Sequence, residues 1–546
     1  MIRRMAFWNE RYFFRKVEKR TSKELISMYP PESPIEIYDR EYWWSDAWDP
    51  MSFGKDVDWS RPFLAQLREL QLQVPMPTRA IVRAVNSDYC NNAADLKDCY
   101  LTFNADQSEE CMYCVGVDHL KGSLDSHRAL NSDFLYECVA IGGSYQCRHS
   151  NFLNNCRNMQ LSFNCHDCSD CVGCVNLRHK KYHIFNEPYS KEEYEQKVEA
   201  MRLDTFSGLQ KAHKEFEQMM IRYPRKYMSG IASSNQSVSG DFIAYSKNVQ
   251  LSHGCLHSEN LKHCQLLLLG AKDSHDFTSW GNKAELVYET ACSGEEIANI
   301  KFSYECSGGI TNAEYSMACI GGSNVFGCVG LRNKQYCILN RQYSKEEYEA
   351  LLPKLREHMR TMPYVDARGR VHAYGEFFPM EFSPFAANET VLSDYANVDE
   401  KKAHELGLPW RQPNQKEFVV TKKASELPDA IGDVTDAVLN DIIACEQCSK
   451  AYRIVPKELQ FLRRFSIPVP RRCFNCRQIR RVNLRTKPFF RKAQCQCSGE
   501  SSDNGLYTNI AKHMHSGQCP EEFIVAHPAD APYILYCESC YNVEVA

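Results

Sequence analysis

The chain has 546 residues, of which 43% are hydrophobic, 25% charged and 12% aromatic, with a formal net charge of −4. This balance is globular and excludes a disordered or collagen-like chain, and the length predicts about three to five domains. No apolar run approaches the ~20 residues of a membrane-spanning helix. The charged, aromatic start does not read as a secretory leader, and the charge is too near zero to aim a global field at nucleic acid.

Cysteine stands out, with 27 residues, an odd number in a long chain. Disulfide scaffolds are short and usually even in count. The thiols therefore read as reduced, in a cytoplasmic protein, some as metal ligands and the rest as core.

Residues 1–80 contain no cysteine and read as a degenerate, metal-free copy of a module at the other end of the chain. Arg3-Arg4 matches Arg480-Arg481, and Phe13-Phe14-Arg15-Lys16 matches Phe489-Phe490-Arg491-Lys492, with a one-residue shift between the two pairs. Pro30, Pro34 and Tyr38 repeat the spacing of Pro528, Pro532 and Tyr536, which sets Asp39 and Tyr42 where Cys537 and Cys540 stand. Tyr42, Trp43, Trp44 and Trp48 would supply packing in place of a metal.

Residues 81–222 and 223–361 read as two tandem parallel solenoid units of the right-handed β-helix or β-roll type, each closed by a capping helix. Cys138, Cys147, Cys156, Cys165 and Cys174 lie nine residues apart, as do Cys90 and Cys99, Cys255 and Cys264, and Cys319, Cys328 and Cys337. That step fits a strand-and-turn repeat in which small apolar thiols stack inside and Asn, Ser, Asp and Gly make the turns. The stretch from Cys174 recurs at Cys328 with an offset of 154, and Cys90 and Cys99 match Cys255 and Cys264 at an offset of 165. Ser190 with Glu193 and Ser344 with Glu347 form capping boxes that open the covering helices. Within the first unit, Cys165, Cys168, Cys171 and Cys174 resemble an iron–sulfur cysteine run. The duplicate unit has Cys319, Gly322, Val325 and Cys328 at those positions, which favours a packed interior. Asp273, His275 and Asp276 are the best argument for a polysaccharide-active site, against a reading as ordinary turn residues.

Residues 362–440 read as a linker and packing region, with an extended aromatic segment, a short helix over 401–406 and a flexible boundary within 411–440. Residues 441–546 read as a zinc-binding basic module. Cys445-x2-Cys448 and Cys473-x2-Cys476 are paired CxxC turns, each aiming two sulfurs at one tetrahedral ion. Four thiolates leave no open coordination position, so the site reads as structural. Cys495, Cys497, Cys537 and Cys540 form a second expected zinc site, with His513, His515 and Cys519 as substitute ligands. From Leu459 to Gly499 there is no Asp or Glu. Arg471, Arg472, Arg477, Arg480, Arg481, Arg485, Lys487, Arg491 and Lys492, interleaved with phenylalanines, suit RNA phosphates and unpaired bases. The alternatives are a solvated face or a dock for an acidic surface of the same chain.

CEQC…CFNCRQIRR, WWSDAWDP at 43–50, the repeated YSKEEY element, YGEFFPMEFSPF at 374–385 and YCESCY at 536–541 together resemble uncharacterised cysteine-rich zinc-ribbon proteins of the candidate phyla radiation, the ultrasmall bacteria. Such proteins often carry a CxxC…CxxC ribbon at the N-terminus as well, and this chain departs from them there. The resemblance implies the architecture and the zinc but no reaction.

The expected fold is mainly β: two parallel β-helix-like solenoids with capping helices plus a small zinc-ribbon or treble-clef-like module. The expected function is a non-enzymatic zinc-binding scaffold that contacts RNA or a ribonucleoprotein through the basic module and a protein partner through the solenoid faces, with no membrane association. A thiol- or metal-dependent redox protein and a solenoid enzyme acting on polysaccharide are the alternatives.

Overall fold

The computed structural model describes residues 1–230, 234–412 and 418–545. The fold is mainly β, and its sheets are built largely by parallel pairing of short strands. Between Ile81 and Ile184 each strand lies beside the one twelve residues on, as in Asn91 to Phe103, Phe103 to Val115 and Val115 to His127. Isolated bridges continue that register, for example from Val85 to Lys97 and from Lys97 to Glu109.

The local cause is a three-residue rule. From Asn92 to Phe185 every third residue has a left-handed φ. Each such residue turns the chain, so it returns beside itself after four triplets. Asn and Asp tolerate that conformation best among residues with a side chain, and they stack along the turns. Asn155 donates to Asp167 at 3.3 Å, Asn158 to Asp170 at 2.9 Å and Asn164 to Asn176 at 2.8 Å.

The residue after each left-handed one points inward, and these residues form the core. Cys90, Leu96, Cys99, Thr102, Cys111, Cys114, Val117, Ser126, Cys138, Cys147 and Ser150 are all buried. Backbone pairing uses two of the three N–H groups in a triplet: Tyr100 donates to Cys111 O, and Tyr113 to Tyr100 O. The third N–H, on the inward residue, meets a side-chain acceptor where a serine or cysteine stands twelve residues earlier. Leu120 N–H reaches Ser108 Oγ at 3.2 Å, Leu135 N–H reaches Ser123 Oγ at 3.1 Å and Cys156 N–H reaches Ser144 Oγ at 3.0 Å. A thiol fills the same role: Lys180 N–H lies 3.4 Å from Cys168 Sγ. Cys138 Sγ in turn lies 3.4 Å from Tyr136 O and 3.3 Å from Cys147 O. Burial raises the Cys90 and Cys147 thiols to about 12, which keeps these two protonated near neutral pH.

This arrangement corrects the nine-residue step. Nine residues is one turn forward and one triplet back, so Cys138 and Cys147 lie on different sides. The stacked column runs Cys138, Ser150, Ser162 (with Ser162 N–H on Ser150 Oγ) to Cys174. Cys165, Cys168, Cys171 and Cys174 face inward from four successive sides, and among the described residues no three of these sulfurs form a metal-sized group.

The second unit follows the same rule with a stretched step. Lys247 pairs with Glu259, but Glu259, Lys272, Glu285, Ala298 and Thr311 follow one another at thirteen residues, and the step returns to twelve at Ser323 and Gln335. The acceptor role lengthens with it, as Cys306 N–H reaches Ser293 Oγ at 3.0 Å. In this unit Cys264 shares its column with Cys328, through Phe277, Thr290, Ser303 and Ser316. Cys99 does not share one with Cys174, so the 165-residue correspondence is one side out of register.

Both capping boxes form and open the helices Lys191–Ala200 and Lys345–Thr361. In the 362–440 stretch Phe377, Phe378, Phe382 and Phe385 are buried against Met5 and Phe7. The short helix there spans Glu400–Leu406. Part of the boundary expected at 411–440, residues 413–417, lies outside the described residues.

Ser144→Ala is expected to leave the Cys156 N–H buried without an acceptor and to cost about 1–3 kcal/mol. Ser144→Cys should recover most of that loss. Denaturant midpoints check this, and equal midpoints for the two variants would remove the acceptor role.

Candidate metal centre

The C-terminal region gathers three ligand groups whose donor atoms all lie within 4.8 Å of one another. The first is Cys445, Cys448, Cys473 and Cys476. Cys445 ends the strand Ile443–Ala444, whose antiparallel partner is Ala451–Tyr452, and Cys473 caps the helix Phe474–Asn483. The Cys473 N–H points at Cys445 Sγ at 3.3 Å, and Cys448 Sγ lies 3.8 Å from Cys473 Sγ. Tetrahedral ligation at about 2.3 Å per Zn–S bond places sulfurs about 3.8 Å apart, so the spacing suits one four-thiolate ion.

The second group is Cys495, Cys519, Cys537 and Cys540, and the third is Cys497, His513, His515 and Cys540. The expected second set of Cys495, Cys497, Cys537 and Cys540 is therefore corrected. Strands Arg491–Gln494 and Glu522–Val525 form an antiparallel hairpin, and just beyond it Cys519 N–H donates to Cys497 O at 2.8 Å. That register brings Cys519 to Cys495, while Cys497 turns to the histidines. Cys540 Sγ lies 3.8 Å from Cys519 Sγ, and Cys519 Sγ lies 4.0 Å from Cys537 Sγ. Cys519 was legible only as a substitute ligand, because its partner across the hairpin is 24 residues away. His513 and His515 fall in a candidate ligand group of their own with Cys497 and Cys540.

The nine cationic residues expected to face RNA are mostly held internally. Arg477 Nε lies 2.8 Å from Asp125 and its Nη2 3.0 Å from Glu458, while Arg481 reaches Asp125 at 2.9 Å and Glu137 at 2.7 Å. Arg480 also pairs with Glu137. Arg471 donates to the Ala424 and Pro428 carbonyls, and Arg485 lies buried 4.1 Å over the Phe242 ring. Arg472 pairs with Glu446 at 2.8 Å, Arg491 donates to His527 O at 2.9 Å, and Lys487 donates to Asn397. Lys492 is exposed. Asp125 and Glu137 occupy one side of the first β-unit, one turn apart. An arginine-rich stretch reads the same in sequence whether its anions are phosphates or carboxylates more than 300 residues away.

The N-terminal stretch mirrors these contacts. Arg4 is fully buried and reaches Asp276 at 3.1 Å and Glu289 at 2.8 Å, on the second β-unit. Asp276 is thus an anchor for Arg4, and Asp273, of the Asp273, His275 and Asp276 group, accepts from Asn260 at 2.7 Å. Hairpin Phe14–Val17 with Glu24–Ser27 matches Arg491–Gln494 with Glu522–Val525, so residue 14 stands to 491 as residue 4 stands to 481. The one-residue shift in the sequence match thereby disappears. In this register Glu18, Thr21, Asp39 and Tyr42 stand for Cys495, Cys519, Cys537 and Cys540. Asp39 N–H donates to Glu18 Oε1 at 2.8 Å, where Cys537 N–H donates to Cys495 Sγ at 3.1 Å. Thr21 also donates to Glu18, and the Arg20 guanidinium lies 3.7 Å over the Tyr42 ring.

No family model matches this chain, and no curated protein does. Among solved structures, one assigned as an acetyltransferase from Desulfovibrio desulfuricans G20 aligns over 54% of this chain and 86% of its own, at 11% identity and a TM-score of 0.10. A likeness that slight carries no argument. Among the described residues no helix is long and apolar enough to cross a membrane.

Burial alone would raise Glu137, but Arg480, Arg481 and Arg477 outweigh it and hold the carboxyl down to about 2. An unfolded glutamate titrates near ~4.3, so this group's stabilisation is complete above about pH 5 and is lost as pH falls toward 2. Hydrogen exchange in Phe474–Asn483 should therefore accelerate across that window. Glu137→Gln should abolish this pH dependence and destabilise docking by about 3–5 kcal/mol, since it strands buried arginines.

Proposed function

We propose that this chain is a non-enzymatic, zinc-holding scaffold built on two tandem β-solenoids. The recurrence of parallel pairing at twelve or thirteen residues through most of both units supports the solenoid reading. The observation that carries the scaffold reading is the ligand chemistry. Each group is a closed set of four Cys or His donors with no open position for a substrate or a water. Thiolate-rich tetrahedral sets at these spacings suit zinc, and each stands in a module fastened to a β-unit. The N-terminal module is the metal-free counterpart, in which Glu18, Thr21, Arg20 and Tyr42 do by hydrogen bonding and stacking what an ion does at the other end.

The β-units then serve as a rigid surface for a protein partner. Tyr245, Leu269, Leu286 and Tyr288 stand exposed on the second unit and suit that role. RNA contact is a second reading, supported by the cations that remain exposed in the basic module: Arg453, Lys457, Arg464 and Lys492. The redox and polysaccharide alternatives lack a comparable feature, because nearly all the coil thiols are buried among backbone carbonyls and Asp276 is tied to Arg4.

Metal analysis of the full chain should return zinc without iron or acid-labile sulfide, and chelation should unfold the region beyond residue 441 first. Iron with sulfide would sink the scaffold reading in favour of redox chemistry. An RNA titration of the zinc-loaded chain over a salt series selects the partner class. Each phosphate contact to a single strand contributes about −0.7 to the log–log slope, and charge reversal at Arg453, Lys457 and Lys492 should flatten it. Absence of binding at low salt leaves the protein partner.

A further inference from the structure

The second and third ligand groups share Cys540, and we infer that they form one binuclear centre in which the Cys540 thiolate bridges two zinc ions. One ion would take Cys495, Cys519, Cys537 and Cys540, and the other Cys497, His513, His515 and Cys540. This rests on the reading of the C-terminal module as metal-holding.

The orientation of the two imidazoles carries the inference. His513 Nε2 lies 2.8 Å from Glu544 Oε1, and His515 Nδ1 lies 2.7 Å from Gly517 O. These acceptors take the ring protons, which leaves a lone pair on each opposite nitrogen. His513 Nδ1 then faces Cys497 Sγ at 3.5 Å, and His515 Nε2 faces Cys540 Sγ at 3.2 Å. Metal-ligating histidines are held in this way, the far nitrogen donating to a carboxylate or carbonyl. Glu544 is fixed in turn by Tyr507 Oη and the Ile510 N–H, each at 3.0 Å, and by the Ala511 N–H at 3.1 Å. Asn509 Nδ2 donates to Cys497 Sγ at 3.3 Å, a contact that favours thiolate over thiol.

Charge favours two ions over one. Four thiolates around a single zinc ion leave a net charge of −2 in a buried pocket. Adding Cys497 and the second ion, with two neutral histidines, brings the whole centre to −1. All five cysteines are buried. Cys537 and Cys540 sit at the start of the helix Glu538–Val545, where free N–H groups also stabilise thiolates.

Cadmium-113 NMR of the cadmium-substituted full chain tests this, alongside zinc content by mass spectrometry. The expected result is three ions per chain, with two of the three cadmium signals coupled to each other through the shared sulfur. His515→Ala should drop the count from three to two and remove the coupling while the other two sites stay filled. Glu544→Gln should weaken one zinc ion by about 10–100-fold. Two ions per wild-type chain, or three without coupling, would overturn the bridged centre while leaving the scaffold reading intact. Absence of bound metal would instead overturn the scaffold reading itself.

Discussion

Everything in the two β-units depends on how one backbone N–H in three is satisfied. Two extended residues and one left-handed residue turn the chain and let it pair with itself, but this leaves the inward N–H facing the core. A buried donor without an acceptor costs more than a typical hydrogen bond gains. The core therefore needs side chains that are small, largely apolar and able to accept. Serine, threonine and cysteine meet these needs, and they alternate along the interior with purely apolar residues such as Leu96, Val117 and Leu135. Cysteine richness in this region is thus a matter of interior hydrogen bonding, and it differs in kind from cysteine richness at the C-terminus.

Sequence alone distinguishes those two kinds only in part. Paired CxxC turns at Cys445, Cys448, Cys473 and Cys476 are legible because each pair is local. The regular spacing of Cys138 through Cys174 is legible as a repeat, but its period is not. A step of nine is what survives when each successive cysteine falls one side back on a twelve-residue turn and serines and aliphatic residues hold the places between. Reading every third residue, cysteine and serine together, would have exposed the column. Cys519 and the bridging role of Cys540 depend on hairpin register, which no local pattern declares. The arginines were read as outward-facing because their carboxylates, Asp125 and Glu137, come from turns with no acidic signature of their own.

The two ends of the chain relate to the two β-units in a crossed fashion. The strand Ile37–Tyr38 pairs with Met76–Pro77 just before the first unit, yet Arg4 is sunk into the second. Leu535–Tyr536 pairs with Arg225–Lys226 just before the second unit, yet Arg481 is sunk into the first. Each terminal module therefore joins both units, and a buried arginine between two stacked carboxylates is the fastening in both cases. Removing either partner would leave an uncompensated buried charge. Among the described residues only the C-terminal module gathers groups that could hold a metal ion, and the other reaches the same arrangement of hairpin, strand and helix through a carboxylate, a hydroxyl and a cation over a tyrosine ring.

That crossing has a consequence for biogenesis. On a ribosome the first β-unit emerges early, and its local turns can wind as soon as they are made. Its Asp125 and Glu137, however, meet their guanidinium only after more than 340 further residues have been translated. At ~5–20 residues per second that wait lasts tens of seconds. Through that interval the nascent first unit presents an uncovered acidic side and an unfinished surface, and the late-made helix Phe474–Asn483 is the one that completes it.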